Sequence, residues 1–198
     1  SDFPDTRVSS LVVMGQGEPF LNYDNTLTAL RIANSVDALN IGARHITIST
    51  CGIIPGIDRL ATEPEQFTLA ISLHAASQAV RDDLMPAMSS YPLSELKTAI
   101  KGYNETTNRR VTLEYLMIDK INDTRADLAA LQAFAKGIHC HINLLPMNSV
   151  EDSPYRPSSH AAMKYWMNAL NTAGIETTTR QSRGSDIAGA CGQLKNSL

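Results

Sequence analysis

A glycine-rich turn that carries a carboxylate follows the first strongly apolar run of this sequence. Residues 12–14 read Val-Val-Met and lead into Gly15-Gln16-Gly17-Glu18-Pro19. Because glycine has no Cβ, it lets the backbone approach a ligand closely, and proline stiffens a turn. A carboxylate placed there can hold an ammonium group. On the pattern alone the stretch is either a binding loop or an ordinary tight turn.

Polar residues also follow the later apolar runs. The second run ends in Ser49-Thr50-Cys51-Gly52, the third in Ser72-Leu73-His74, and the fifth in Pro146-Met147-Asn148. Hydroxyl, imidazole and amide groups can bond ribose hydroxyls and a carboxylate. Each of them alone is equally compatible with a bond to neighbouring backbone. Together they predict a pocket for a small, polar and zwitterionic ligand.

The chain has three widely spaced cysteines, Cys51, Cys140 and Cys191. An odd number without close spacing argues against a disulfide framework and favours a reducing, cytoplasmic setting. Cys191 lies among small residues that leave its sulfur uncrowded, which makes it a candidate nucleophile, although composition alone favours a buried and inert thiol. His139 and His141 share a strand face without a third ligand nearby, so we interpret them as strand packing and predict no metal site.

The elements that must position these residues alternate along the chain. Apolar, strand-like runs occupy 11–14, 45–50, 67–73, 110–117, 139–145 and 175–180. Helical periodicity occupies 25–39, 55–61, 92–107, 124–137 and 158–173. Such alternation predicts an α/β fold with a parallel sheet, either an open or partial (β/α) barrel or a doubly wound sheet. In both, ligands bind at the carboxyl ends of the strands.

Bulk composition limits the classes of function. The 198 residues, 43% of them hydrophobic and 19% charged, predict a single globular domain over 1–198. No apolar run approaches the roughly 20 residues of a membrane span, so no membrane partner is expected. The net charge of −3 provides no overall basic field for nucleic acid. RNA contacts would have to be local, and the best candidates are Arg109, Arg110, Arg180 and Arg183.

Six segments occur in an order that is similar to a known family. They are MGQGEPFLNYDN, ITISTCGIIPGI, LAISLHAAS with RDDLMP, RRVTLEYLMIDKIND, CHINLLPMN and SRGSDIAGACGQL. The chain, from Leu11 to about Lys195, resembles the radical S-adenosylmethionine (radical SAM) RNA methyltransferases of the RlmN family. The resemblance implies a partial radical SAM (β/α) barrel with helices outside the sheet, and methylation of adenine carbon 2 in 23S rRNA and tRNA. The related Cfr family, which methylates carbon 8, is the alternative.

The resemblance also implies roles for individual residues. Gly17 and Glu18 match the turn that faces the methionyl end of S-adenosylmethionine. The other cofactor contacts are expected at Ser49, Ser72, Leu73, His74 and Asn148. Cys191 matches the catalytic cysteine that carries the methyl group, in a segment at about 181–198.

The chain departs from the family pattern in one major respect. The Cys-x-x-x-Cys-x-x-Cys loop that holds a [4Fe–4S] cluster is absent. We therefore expect this chain to be the C-terminal portion of such an enzyme, without its first barrel unit and inactive alone. The cluster and its electron donor are expected of the longer parent. Two alternatives stay open, a module that binds SAM or RNA without catalysis, and an unrelated (β/α) enzyme that uses Cys191 in a covalent step.

Overall fold

A computed structural model describes residues 7–148 and 153–180. In these ranges there are six strands and six α-helices, with one α-helix in each connection between strands except the third connection, which has two. The strands are β1 Leu11–Val13, β2 Ile46–Thr50, β3 Thr68–Ser72, β4 Val111–Met117, β5 Cys140–Pro146 and β6 Thr177–Thr179. The helices are α1 Tyr23–Asn34, α2 Ile54–Thr62, α3 Gln78–Leu84, α4 Leu93–Thr107, α5 Arg125–Ala135 and α6 His160–Thr172. No helix in the described ranges has the length and apolarity to cross a bilayer.

The six strands form one parallel sheet in the order β1-β2-β3-β4-β5-β6. A doubly wound sheet reverses its strand order at a switch point, and this sheet does not, so the barrel-like alternative is correct. Right-handed crossovers in a sheet that grows in one direction place the helices on one face. The prediction of an α/β fold with a parallel sheet and helices outside is confirmed.

The sheet is strongly curved. Arg180, which follows β6, places its Nη1 3.9 Å from the sulfur of Met14, which follows β1. Strands in a sheet lie about 4.8 Å apart, so the edges of a flat six-stranded sheet would be separated by roughly 24 Å. A single arginine side chain could not cross that distance. The sheet therefore closes into a partial barrel whose concave side faces away from the helices.

Side chains alternate between the two faces of each strand. On β4 the helix-facing residues Leu113, Tyr115 and Met117 are fully buried. The ring of Tyr115 lies 5.3 Å from that of Trp166 on α6. The intervening residues point to the concave side, and Glu114 is among them. The hydrophobic core thus lies between the sheet and its helices, which leaves the concave side available for polar groups.

Two predicted helices differ from the structure in where they end, and one helix was not predicted. Helix α1 ends at Asn34, before the predicted limit of 39, and the apolar residues beyond it, Val36 and Leu39, are exposed. The prediction of a longer helix was wrong because apolar residues without a packing surface do not extend a helix. Helix α3 was not predicted, since its only fully buried side chain is Arg81. Helix α5, predicted over 124–137, ends at Ala135, and the φ of +77° at Gly137 suits a glycine just beyond a helix end.

Candidate cofactor-binding site

A cavity of about 1420 Å³ lies at the carboxyl ends of β1 to β5. Six residues expected at a ligand site line it, namely Gly17, Glu18, Ser49, Ser72, His74 and Asn148. Leu73 does not line it, because its side chain is buried in the core on the other face of the sheet. Cys191 lies outside the described residues. Ligand pockets usually measure about 300–1,000 Å³, so this one has room for a ligand larger than a single small metabolite.

The turn after β1 has a backbone that favours glycine at two positions. Gly15 has a φ of +139° and Gly17 a φ of +91°, a region that residues with a side chain rarely adopt. A Cβ added at either position would meet no protein atom within 4 Å. The glycines are therefore required by the backbone and leave open space on the cavity side, where a ligand can approach the chain.

Glu18 ties this turn to the next one. Its Oε1 accepts a hydrogen bond from the Phe20 backbone N–H at 3.0 Å, and its Oε2 accepts one from the Cys51 N–H at 2.7 Å. The first bond caps a short 3₁₀ helix at Pro19–Asn22. The carboxylate expected to face a ligand thus also sets the spacing between the turns after β1 and β2.

The Cys51 peptide is held from its other side by a buried arginine. Arg81 is fully buried, and its Nη2 donates to the Cys51 carbonyl at 2.7 Å. Burial, followed by the nearby Glu18, raises the pKa of the Cys51 thiol to about 11. Cys51 is therefore a neutral thiol at physiological pH and a weak nucleophile. The cavity wall between Glu18 and Arg81 is fixed by these two bonds.

Three oxygen-bearing side chains lie side by side across β2, β3 and β4. The Ser49 and Ser72 hydroxyl oxygens are 3.4 Å apart, and the Ser49 hydroxyl donates to Glu114 Oε2 at 3.3 Å. Glu114 is only 6% exposed, and burial raises its pKa, opposed by Arg180 and by the Ser49 bond. Glu114 was not predicted as a site residue from the sequence. The signal was its charge in the middle of the otherwise apolar strand VTLEYLM.

His74 lines the cavity, and one of its ring nitrogens is held by the backbone. Its Nδ1 accepts a hydrogen bond from the Leu116 N–H at 3.1 Å. Burial, with a smaller contribution from Arg81, lowers the pKa of His74 to about 4. The neutral ring must therefore carry its proton on Nε2, which makes this nitrogen a donor. Its φ of +55° and a bond from Asn122 to its carbonyl hold the residue in this position.

The arginines considered for RNA are divided between opposite edges of the sheet. Arg109 donates to the carbonyls of Glu65 and Phe67, and Arg110 pairs with Glu176. Both precede β4 and lie at the edge away from the cavity. Arg180 lines the cavity, and Arg183 lies outside the described residues. Only Arg180 of the described candidates is placed where a ligand at the cavity could meet it.

Curated relatives match almost the whole chain. It is 48% identical over 189 residues to a "probable dual-specificity RNA methyltransferase RlmN" of Clostridium novyi. The alignment covers 96% of this chain and 55% of the relative. A protein of the same name from Clostridium beijerinckii is 45% identical over 196 residues, covering 99% of this chain and 56% of the relative. The chain thus spans about half the length of the curated relatives it matches. No protein-family model matches it.

Solved structures agree with these relatives. A radical SAM methyltransferase from Sphaerobacter thermophilus superimposes with a TM-score of 0.92 at 44% identity, over 95% of this chain and 55% of that one. A domain of a pyruvate-formate lyase-activating enzyme from Bacteroides vulgatus superimposes with a TM-score of 0.67 at 16% identity, over 88% of this chain, which shows likeness of fold alone. Because its motifs occur in the family's order, its fold is a parallel partial barrel and its identity to these proteins is high, the chain belongs to the RlmN family of radical SAM methyltransferases.

Proposed function

We propose that this chain forms the S-adenosylmethionine-binding part of an enzyme that methylates carbon 2 of an adenine in 23S rRNA and tRNA. The observation that carries the proposal is the cavity at the carboxyl edge of the sheet, where the Gly15–Glu18 turn meets Ser49, Ser72 and His74. Family membership selects the ligand among those that this cavity could take. The RNA substrate follows from the names of the relatives and is part of the proposal.

The cavity is large enough for S-adenosylmethionine and carries groups that suit its chemistry. The open space beside Gly15 and Gly17 allows the backbone of the turn to approach the methionyl end. The neutral Nε2–H of His74 can donate to a ligand acceptor without adding charge. The serine hydroxyls can donate or accept at the adenosyl end. When bound, the cofactor supplies the methyl group, and the residues of this chain bind and orient it.

An iron–sulfur cluster does not fit the residues of this chain. Its three cysteines are separated by dozens of positions, and the described residues contain no group of three or more metal-ligating side chains. Such clusters are held by closely spaced thiolates. We propose that the cluster, its ligands and its electron donor belong to the longer parent enzyme, which acts in the cytoplasm, and that this chain alone does not catalyse methylation.

The role of Cys191 as methyl carrier remains a proposal that rests on the family motif. In the longer parent, Cys191→Ala is expected to abolish methyl transfer and to leave S-adenosylmethionine binding within about twofold. Methylated nucleosides from digested 23S rRNA and tRNA would be separated by mass spectrometry against standards of 2-methyladenosine and 8-methyladenosine. Methylation by the Cys191→Ala enzyme would refute the carrier role, and 8-methyladenosine as the product would favour the Cfr type.

The binding role can be tested on this chain directly. Calorimetric titration with S-adenosylmethionine should show binding that Ser72→Ala weakens. A matched control is Thr112→Val, on the same concave face but outside the cavity lining. If the unaltered chain and its Ser72→Ala variant bind the cofactor equally, the assignment of this cavity is wrong. A chain that binds cofactor but, joined to its parent, methylates no RNA would instead support a binding module without catalysis.

A further inference from the structure

We propose that Glu114 is a specificity-determining residue of the cavity, whose carboxylate accepts hydrogen bonds from the ribose hydroxyls of the bound adenosyl ligand. The inference rests on the proposed function, because it takes an adenosyl group as the occupant. It assigns a role to a residue outside the set expected from the family motifs.

The position of Glu114 places its carboxylate at the cavity surface. Glu114 lies on the concave face of β4, in register with Ser72 on β3, and it lines the cavity while only 6% exposed. Ser49 donates to its Oε2. Among the described residues no donor is bonded to Oε1. One carboxylate oxygen, with part of the other, is thus left to accept from a ligand.

Glu114 has one bonded donor in the described ranges, and the carboxylate oxygen without a bond is open to the cavity rather than buried and unsatisfied. Buried carboxylates are normally paired with a cation or held by several N–H donors. In the described ranges Glu114 has no ion pair within 4.0 Å, and Arg180 acts on it only from a longer distance. A single serine hydroxyl is its bonded donor. A ligand hydroxyl can donate to the open carboxylate oxygen, where water would otherwise do so.

The negative charge and the position of the Glu114 carboxylate favour an uncharged donor group on the ligand. A phosphate or carboxylate on the ligand would be repelled by the Glu114 carboxylate. A ligand ammonium belongs to the methionyl end, which the proposed function places at the Gly15–Glu18 turn. A ribose carries two adjacent hydroxyls, and an acidic side chain that accepts from ribose hydroxyls is the usual arrangement in dinucleotide sites. Bonds from hydroxyls to a carboxylate are charge-assisted and short.

The two serines complete the same contact. Because the Ser49 and Ser72 hydroxyl oxygens are 3.4 Å apart and Ser49 donates to Glu114, the three groups form one continuous polar row. A serine can donate to the carboxylate and still accept from a ligand hydroxyl. Glu114 thus sets the orientation of the Ser49 hydroxyl as well as accepting from the ligand. Loss of its charge should therefore affect binding only where ligand hydroxyls are present.

The test pairs a substitution with removal of the ligand hydroxyls. Calorimetry would measure binding of S-adenosylhomocysteine, adenosine, 2′-deoxyadenosine and 3′-deoxyadenosine to the unaltered chain and to Glu114→Gln. We expect Glu114→Gln to weaken S-adenosylhomocysteine and adenosine by about 10- to 100-fold, the range for a hydrogen bond to a charged group. For each deoxyadenosine the two proteins should differ markedly less in affinity, because the ligand lacks one of the two hydroxyls that would donate to Glu114.

A matched variant separates binding from folding. Thr112→Val alters the same strand and face, two residues away, and should leave all four affinities within about twofold. The melting temperature of Glu114→Gln at pH 7 should equal or exceed that of the unaltered chain, because a neutral amide is less costly to bury than a carboxylate. Weak binding together with a lowered melting temperature and equal losses for all four ligands would show a structural role and overturn the inference.

The outcomes also separate the inference from the proposed function. If the unaltered chain binds S-adenosylhomocysteine and Glu114→Gln binds it equally well, the inference is wrong and the proposed function stands. Equal weakening of adenosine and both deoxyadenosines would likewise overturn it. If the unaltered chain binds none of the four ligands, the proposed function fails and the inference fails with it.

Discussion

The two faces of the central sheet carry opposite kinds of residue on the same strands. Ile48, Ile71 and Leu113 face the helices and are at most 1% exposed. Their neighbours Ser49, Ser72 and Glu114 face the cavity and bond mainly to one another. Successive side chains of a strand point to opposite faces, so adjacent positions on one strand belong alternately to the core and to the site.

This difference separates stability from binding. The helix-facing side removes apolar surface from water, which contributes about 25 cal/mol per Å². The cavity side holds a carboxylate and hydroxyls whose burial costs free energy unless a partner compensates them. Substitutions on the first face should change the free energy of unfolding, whereas substitutions on the second should mainly change ligand affinity. Three predictions test this division.

The largest effect is expected at the centre of β4. Leu113→Ala should lower the free energy of unfolding by about 2–5 kcal/mol, because it leaves a cavity in a fully buried position. Thr112→Ala, one residue away on the concave face, should cost less than about 1 kcal/mol. Urea denaturation of both variants measures the difference. Equal losses at the two positions would show that the concave face also carries the stability of the sheet.

A pH-dependent effect is expected at His74, on the cavity side. Its pKa is about 4 in the folded chain, against an ordinary value of 6.5, so the unfolded chain binds the proton more readily between these values. Stability from this residue should be complete above pH 6.5 and fall by up to about 3 kcal/mol as the pH drops to 4.

The control for His74 is His74→Asn. Asparagine can offer an acceptor near the position of Nδ1 and tolerates a positive φ. Its denaturation curves between pH 4 and 7 should show a smaller loss than those of the unaltered chain, and the difference between the two isolates the histidine from the carboxylates. Parallel curves for both proteins would mean that the His74 ring titrates normally.

The smallest effect is expected at the far part of the concave face. Thr178 on β6 bonds the His141 ring nitrogen at 2.9 Å, and both groups lie near solvent. Thr178→Val should lower the free energy of unfolding by about 0.5–1 kcal/mol, since water can replace a lost exposed bond and valine suits a strand. Thermal melting of the variant and of the unaltered chain measures this loss of stability. A loss as large as that of Leu113→Ala would contradict the division between the two faces.

The sequence by itself determined the class of fold and one edge of the site. The alternation of apolar runs with helical periodicity gave the parallel sheet, and five of the six strands agree with the predicted runs to within one residue at each end. These features are local, because they depend on periods of two or 3.6 residues. In a parallel sheet the carboxyl ends of the strands share an edge, so Gly17, Ser49 and Ser72 could be placed together without knowing any distance.

The tertiary structure decided which of those groups are engaged and which face the ligand. The bonds from Glu18 and Arg81 to the Cys51 peptide join residues 33 and 30 positions apart, and the Ser49–Glu114 bond joins residues 65 apart. The contact of Arg180 with Met14 depends on how far the whole sheet curves. The local periodicity of the sequence does not determine these distances, because they depend on how the helices pack and so set the twist and closure of the sheet. For that reason a buried carboxylate in an apolar strand became a candidate ligand contact only in three dimensions.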